Sequence, residues 1–264
     1  MNYTQLIEPL MDISRAAGLS ILEIYQAEER GIVLKSDDSP LTLADQKAND
    51  IIVAALTELT PNIPIISEEN KTVDYSIRKS YQQYWLVDPL DGTKEFIKRN
   101  GEFTVNIALI KDGRSVMGFV YVPVSEDMYY AVEGQGSFKV ANGTKTQLSA
   151  LRFSIKDPGL KVVASRSHLN DETKAMLEQL TDPEIVAKGS SLKFLIIAEG
   201  LAHFYPRIAP TMEWDTGAAH IILKEAGGQV IQYQSREPLM YNKENLLNPY
   251  FLAFGRLEEE KFSI

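Results

Sequence analysis

The stretch VDPLDGTKEF at residues 87–96 carries two aspartates, Asp88 and Asp91, at the end of the apolar run YWLV and then turns through Gly92 and Thr93. A short aromatic and aliphatic run bounded by turn residues reads as a buried strand. Singly, each aspartate suits a turn, and Gly92 admits a positive φ. As a pair at one strand tip they have a second reading, as oxygen ligands for a hard divalent cation. Thr93 then opens a helix whose free N–H groups favour an anion. The turn can thus hold a metal with its carboxylates and a phosphate with its backbone.

Three more acidic segments reach strand ends or helix starts. Glu68 and Glu69 in IISEEN follow a predicted strand. Asp45 lies three residues after Thr42 in LTLADQKA, the spacing of a capping box. Asp215 in EWDTGAAH stands where an N-cap is expected. Each alone reads as a loop residue or a cap. Together, in a chain with no cysteine, they can form an all-oxygen site for Mg²⁺. Two such ions about 3.5–4 Å apart can clamp the attacking and leaving oxygens of a phosphoryl transfer.

The net charge of −9 over 264 residues argues against duplex nucleic acid as a partner. The absence of cysteine fits a reducing compartment. The opening MNYTQLIEPL lacks a signal-peptide pattern, and no run approaches the roughly 18 apolar residues of a membrane span. The expectation is a soluble cytoplasmic protein without a transmembrane segment, with peripheral attachment to the cytoplasmic face of the inner membrane left open. Its oligomeric state is not legible.

Helical periodicity runs through residues 13–26 and again from about Thr42 until Pro61. Strands follow in IPIIS, YWLVD, FTVNIALI, GFVYVPV and MYYAVEG, with Asp112-Gly113 as a hairpin signal. After about Ala150, strands and helices alternate, and the helix carrying Asp215 stops at Gly227-Gly228. The expected organisation is an N-terminal α+β part (1–150) packed closely, as one unit, against a C-terminal α/β part (151–264).

DPLDGTKEF, SEEN after a strand, the upstream SPLTLADQKA and WDTGAAH…EAGG, in this order across nearly the whole chain, resemble the Mg²⁺-dependent, lithium-sensitive phosphatases of the inositol monophosphatase superfamily. The resemblance implies a layered αβαβα sugar-phosphatase fold. It implies Glu68, Asp88, Asp91, Asp215 and the backbone carbonyl of Leu90 as ligands of two or three Mg²⁺ ions, with Mn²⁺ able to substitute. Asp45 and Thr93, with Glu68 counted among the catalytic groups, would activate a water that attacks phosphorus in line without a phosphoenzyme. LKSDDSP matches the family's mobile segment, where Lys35 would approach the ions.

The second half carries the substrate signal. Arg166 and His168 end a strand in ASRSHLN; Gly189, Ser190 and Ser191 in KGSSLKF offer an anion nest, with Lys193 one turn on; Arg207 follows a strand in FYPR. A guanidinium fork prefers a second phosphate to a polyol. SRSH, GSSLKF and YPR resemble the 3′(2′),5′-bisphosphate nucleotidase branch, of CysQ type. That implies hydrolysis of the 3′-phosphate of adenosine 3′,5′-bisphosphate (PAP) to AMP, with the sulfated form PAPS as a further candidate, and a place in sulfate assimilation. Gly92, Thr93, His168, Gly189, Ser191, Lys193, Arg207 and Asp215 would surround the nucleotide. Inositol monophosphate and fructose bisphosphate are the rival substrates. A phosphoaspartate at Asp88 of the haloacid-dehalogenase type is disfavoured by the extra residue between the aspartates. A non-catalytic nucleotide-binding regulator would not need Asp45 and Thr93. No aromatic motif marks an adenine-stacking residue.

Overall fold

The computed structural model describes residues 2–26, 32–34, 40–164, 170–260 and 262. Helix α1 (Ile7–Gln26) leads to a short antiparallel pair, β1 (Ile32–Leu34) and β2 (Pro40–Thr42), and then to helix α2 (Leu43–Leu59). A sheet follows, built from β3 (Ile65–Ser67), β4 (Gln83–Asp91), β5 (Thr104–Lys111), β6 (Arg114–Val122), β7 (Asp127–Val132), β8 (Gly136–Ala141) and β9 (Thr144–Gln147), side by side in that order. Only the β3–β4 pairing in it is parallel. Short helices α3 (Tyr75–Arg78) and α4 (Thr93–Ile97) flank β4.

This sheet is covered on both faces, which is why its central strands read as unbroken apolar runs. Alternate residues enter different cores. Trp85, Val87, Val105, Ile107 and Leu109 pack with α1 and α2. Tyr84, Leu86, Ala108 and Ile110 pack on the opposite side, with helices α6 (Leu192–Ala198) and α7 (Trp214–Glu225). The Trp85 indole N–H donates to Thr60 Oγ1 at 2.8 Å, tying β4 to the end of α2.

Beyond α6 and α7 lies a second sheet. Its strands β11 (Lys161–Ala164), β12 (Glu184–Ala187), β13 (Phe204–Arg207), β14 (Gln229–Gln232) and β15 (Phe251–Phe254) are ordered β12-β11-β13-β15-β14. Two further short strands, β10 (Arg152–Phe153) and β16 (Arg256–Leu257), pair beside it. The far face carries helix α5 (Asp171–Leu177), with Met176 set among Val162, Phe204, Leu252 and Phe254. Helix, sheet, helix, sheet and helix stack as five layers, in agreement with the expected αβαβα architecture.

The Asp112-Gly113 hairpin forms with φ of 50° and 72°, a primed turn between β5 and β6. Asn142-Gly143 makes the same turn between β8 and β9, with φ of 49° and 73°. The second sheet departs from a purely parallel βα pattern: β15 runs antiparallel to both β13 and β14.

Helix α7 lies unusually close to the first sheet. A Cβ on Gly118 of β6 would come within 2.4 Å of the Ala218 carbonyl oxygen, and one on Gly217 within 3.0 Å of Leu86. Ser115 Oγ closes the contact by donating to Gly217 O at 2.7 Å. The small residues of TGAA thus have a packing role, bringing the first turn of α7 to the ends of β4 and β5. Among the described residues, no helix is long and apolar enough to cross a membrane.

Candidate functional site

In a regular strand, residues three apart face opposite sides. Asp88 and Asp91 escape this through a bulge: Asp88 pairs with Asn106 and Asp91 with Thr104, so Pro89 and Leu90 together oppose Val105. Both aspartates therefore face the α6–α7 side. Proline, which has no N–H to give a ladder, fits such a bulge. The Leu90 N–H donates to Asp88 Oδ1 at 3.1 Å while its side chain is buried in the opposite core. Gly92 then turns the chain at φ 96° into α4. Phe96 anchors that helix, its ring centroid 5.1 Å from Tyr25 and 5.3 Å from Phe103.

Three other elements bring their acids to this bulge. The Glu68 N–H donates to Val87 O at 3.1 Å, which sets the end of β3 beside Asp88. Asp215 sits inside the first turn of α7 and is not its N-cap; Glu213 holds that position, and Asp215 Oδ2 accepts from the Met212 N–H at 2.9 Å. Carboxylate oxygens of Glu68, Asp88 and Asp215 lie within 4.8 Å of one another. Asp91 Oδ2 is 2.9 Å from Ser190 Oγ and 3.0 Å from Ser191 Oγ. Ser191 Oγ is also 3.1 Å from Asp215 O and accepts from Asn106 Nδ2 at 3.0 Å.

Asp45 is buried in the first turn of α2, and Thr93 is half-buried at the start of α4. One turn beyond Asp45, Asn49 accepts from Ser67 Oγ at 2.7 Å and donates to Asn70 Oδ1 at 3.0 Å, which seats α2 against the end of β3. Arg166, His168 and Lys35 lie outside the described residues.

So many carboxylates in one dry place raise one another's proton affinity. Burial first, then the charges of Glu68, Asp91, Asp215 and Asp45, push Asp88 well above the ordinary carboxylate range. Burial and Asp91 raise Asp215 to about 8, against the Met212 hydrogen bond and the more distant Arg207. An all-oxygen cluster whose members repel one another fits a hard divalent cation, which would remove the repulsion.

A pH dependence follows for the metal-free protein. Unfolded, Asp215 loses its proton near pH 4; folded, it keeps it to about 8. The native state binds the extra proton between those values, so stability falls as pH rises through the window. Thermal unfolding in a chelator should give a lower midpoint at pH 8 than at pH 6. Added Mg²⁺ should raise the midpoint more at pH 8, where the ion displaces fewer protons.

Beside the acids opens a cleft of about 350 Å³, lined in part by Asp91, Gly92, Gly189, Ser190, Lys193, Tyr205, Arg207 and Asp215. Residues from both halves of the sequence meet here, and the lining mixes acids with cations. Lys193 Nζ donates to Ser190 O at 3.2 Å, and burial lowers its pKa against the pull of Asp91. Arg207 donates through Nη2 to Pro210 O at 2.8 Å, and its buried Nε has no hydrogen-bond partner among the described residues. The loop before α6 differs from a simple anion nest. The Gly189 N–H donates to Glu102 Oε2 at 2.8 Å, and the Ser190 and Ser191 hydroxyls are directed to Asp91. Gly189 is demanded sterically, since a Cβ there would meet Glu95 Cγ at 2.9 Å and Glu102 Cβ at 3.1 Å. Glu102 and Glu213 went unnoticed in the sequence, where neither belongs to a spaced pattern.

The chain as a whole is similar to known proteins. The 3′(2′),5′-bisphosphate nucleotidase CysQ of Salmonella typhimurium is 46% identical over 249 residues, 93% of this chain and 98% of that protein. The protein of the same name from Escherichia coli K12 is 45% identical over 250 residues, with the same coverage. The crystal structure of CysQ from Bacteroides thetaiotaomicron superposes with a TM-score of 0.84 at 43% identity, covering 97% of this chain and 99% of that one. An inositol monophosphatase from Zymomonas mobilis, 23% identical, shares the fold with a TM-score of 0.77 over 97% of this chain and 94% of its own. The family model for the inositol monophosphatase family matches residues 2–258. With its acidic motifs in order and its layers superposing, the chain belongs to the inositol monophosphatase family.

Proposed function

We propose that the protein is a metal-dependent phosphatase that hydrolyses the 3′-phosphate of PAP to give AMP and phosphate, with PAPS as a second substrate, and that it serves PAP turnover in sulfate assimilation. The observation that carries this reading is the cleft, where a carboxylate cluster adjoins Lys193 and Arg207. A polyol monophosphate needs only the first group; a nucleoside bisphosphate uses both. Relatives that bear the nucleotidase name, at up to 46% identity over almost their whole length, support the same substrate.

In this reading Glu68, Asp88, Asp91, Asp215 and the Leu90 carbonyl hold two or three Mg²⁺ ions, which Mn²⁺ can replace. Mg²⁺ supplies charge neutralisation at the phosphoryl oxygens and lowers the pKa of water. Asp45 and Thr93 orient the attacking water, and Asp45 receives its proton. Ser190 and Ser191 fix the Asp91 carboxylate. Lys193 and Arg207 clamp the 5′-phosphate, which orients the nucleotide for in-line attack. His168, Gly189 and Ser191 complete the substrate surroundings. Residues 1–150 supply most of the acids, and 151–264 supply Asp215 and the cations, the two parts acting as one unit.

The test is phosphate release from PAP, PAPS, AMP, inositol 1-phosphate and fructose 1,6-bisphosphate in Mg²⁺. PAP should give the highest kcat/KM. A preference for inositol 1-phosphate, or tight binding of PAP with no phosphate released, would overturn the assignment.

A further inference from the structure

From Val105 to Ile110, β5 is apolar except for Asn106, and Thr104 lies two residues before it on the same face. These two residues stand opposite the bulged aspartates, Thr104 beside Asp91 and Asn106 beside Asp88. Both are buried, as is Ser191 at the entry to α6. A buried polar side chain is costly unless its hydrogen bonds are made, and here they are made in a chain. Thr104 Oγ1 donates to Asn106 Oδ1 at 3.1 Å, and Asn106 Nδ2 donates to Ser191 Oγ at 3.0 Å. Having accepted from Asn106, the Ser191 hydroxyl turns its own proton forward, to Asp91 Oδ2 at 3.0 Å or the Asp215 carbonyl at 3.1 Å. Ser190 Oγ, 3.1 Å from Thr104 Oγ1, meets the same Asp91 Oδ2 at 2.9 Å. Asp91 Oδ1 receives no hydrogen bond from the described residues.

We propose that Thr104 and Asn106 are positioning residues for the Asp91 carboxylate: through Ser191 they commit its Oδ2 to the protein and leave Oδ1 to a metal ion. The inference rests on the reading of Asp91 as a metal ligand, and not on the identity of the phosphate ester. Direction matters in this chain. An amide has one accepting and one donating end, and Thr104 fixes which of them Ser191 meets. With Asn106 donating to it, the serine cannot point its proton back into the sheet. A carboxylate already held by one oxygen presents the other in a set direction, so less freedom is lost when an ion arrives. An apolar pair at 104 and 106 would suit a strand buried on both faces, and would give up that control.

Asn106→Leu replaces the amide with an apolar branch of similar shape. Titration of the metal-free protein with Mn²⁺, followed by calorimetry, should show binding weakened about tenfold or more, as is typical when a group that orients a metal ligand is lost. Thr104→Val, isosteric but without the hydroxyl, should weaken it about fivefold, the worth of one ordinary hydrogen bond. Thr104→Ser, which keeps the hydroxyl and drops the methyl, should restore the affinity. In a Ser191→Ala background Asn106→Leu should have little further effect. Thermal unfolding in a chelator checks that each variant folds, and the two threonine variants decide the matter if Asn106→Leu does not. Unaltered Mn²⁺ binding in folded Asn106→Leu or Thr104→Val would overturn the proposal. So would an equal loss in Thr104→Val and Thr104→Ser, which would mark packing rather than hydrogen bonding. A wild-type protein that binds no Mn²⁺ would overturn the metal reading and this proposal with it, whereas wild-type binding with unaltered variants would overturn this proposal alone. No substrate is present, so the result does not depend on which phosphate ester is cleaved.

Discussion

Asp215→Asn and Asp91→Asn should each lower phosphate release by about a thousandfold or more in saturating substrate. Metal ions acting as Lewis acids contribute several kcal/mol to phosphoryl transfer, and each 1.36 kcal/mol is a factor of about ten in rate. Both changes are isosteric, so the local hydrogen bonds have replacements. Asparagine Oδ1 can still accept from the Met212 N–H at position 215, or from the Ser190 and Ser191 hydroxyls at position 91. What is lost is negative charge among acids that already repel one another. In the metal-free state above about pH 8, where Asp215 is ionised, either variant should therefore melt at or above the wild-type temperature. A large catalytic loss without a loss of stability separates a ligand from a structural aspartate. Wild-type turnover in both variants would contradict the proposed ligand set, and a fall in metal-free stability would show these carboxylates to be held by contacts rather than opposed by charge.

Glu213→Ala should give the largest loss of stability. Glu213 is fully buried ahead of α7, and its carboxylate accepts from the Asn242 N–H at 2.7 Å, from the Lys243 N–H at 3.0 Å and from the Lys243 ammonium. The Tyr84 hydroxyl, from the core of β4, approaches it at 3.4 Å. Arg78 grips the same loop from the other side, through Asn242 Oδ1 at 3.0 Å and the carbonyls of Lys243 and Glu244 at 2.6 Å. Removing the carboxylate leaves two backbone donors without their acceptor and strips the Lys243 ammonium of its counter-charge, with only the Met240 carbonyl and Asn248 Oδ1 to receive its hydrogen bonds. Breaking a buried pair in this way costs about 3–5 kcal/mol. The Lys243 side chain is 27% exposed, so water recovers part of that, and about 3 kcal/mol is the expectation. For a chain of this length that is a drop in melting temperature of about 6–12 °C. Turnover should fall as well, because Asp215 is carried by the helix turn that Glu213 secures. A melting temperature equal to that of the wild type would show the clasp to be dispensable.

Much of this was legible in the sequence because the signals are local. YWLV and FTVNIALI announce strands buried on both faces, and Asp112-Gly113 fixes the hairpin between β5 and β6. Asn142-Gly143 carried an equal signal for β8 and β9, but the strands around it, GSFKVA and TKTQ, are too polar to stand out. The ordered acidic motifs pointed to one site, and the structure shows how they reach it: a bulge at Pro89-Leu90 turns two aspartates to one face, and the small residues of TGAA let α7 come close. Neither device can be read from residue types alone, because each depends on a partner strand or helix distant in sequence. Asp215 illustrates the limit. Its position next to Thr216 and Gly217 suggests a cap, yet the helix begins at Trp214 and leaves the carboxylate among the acids. Long-range clasps such as Glu213 with Asn242 and Lys243, or Glu102 with Gly189, have no sequence pattern.

The most direct test of the carboxylate centre is anomalous diffraction from crystals grown or soaked in Mn²⁺. The proposal predicts at least one strong anomalous peak within about 2–2.5 Å of oxygens from Asp88, Asp215 and Glu68 or Asp91. Mn²⁺ present in the crystal but bound elsewhere, with this cluster empty at the pH of activity, would contradict it.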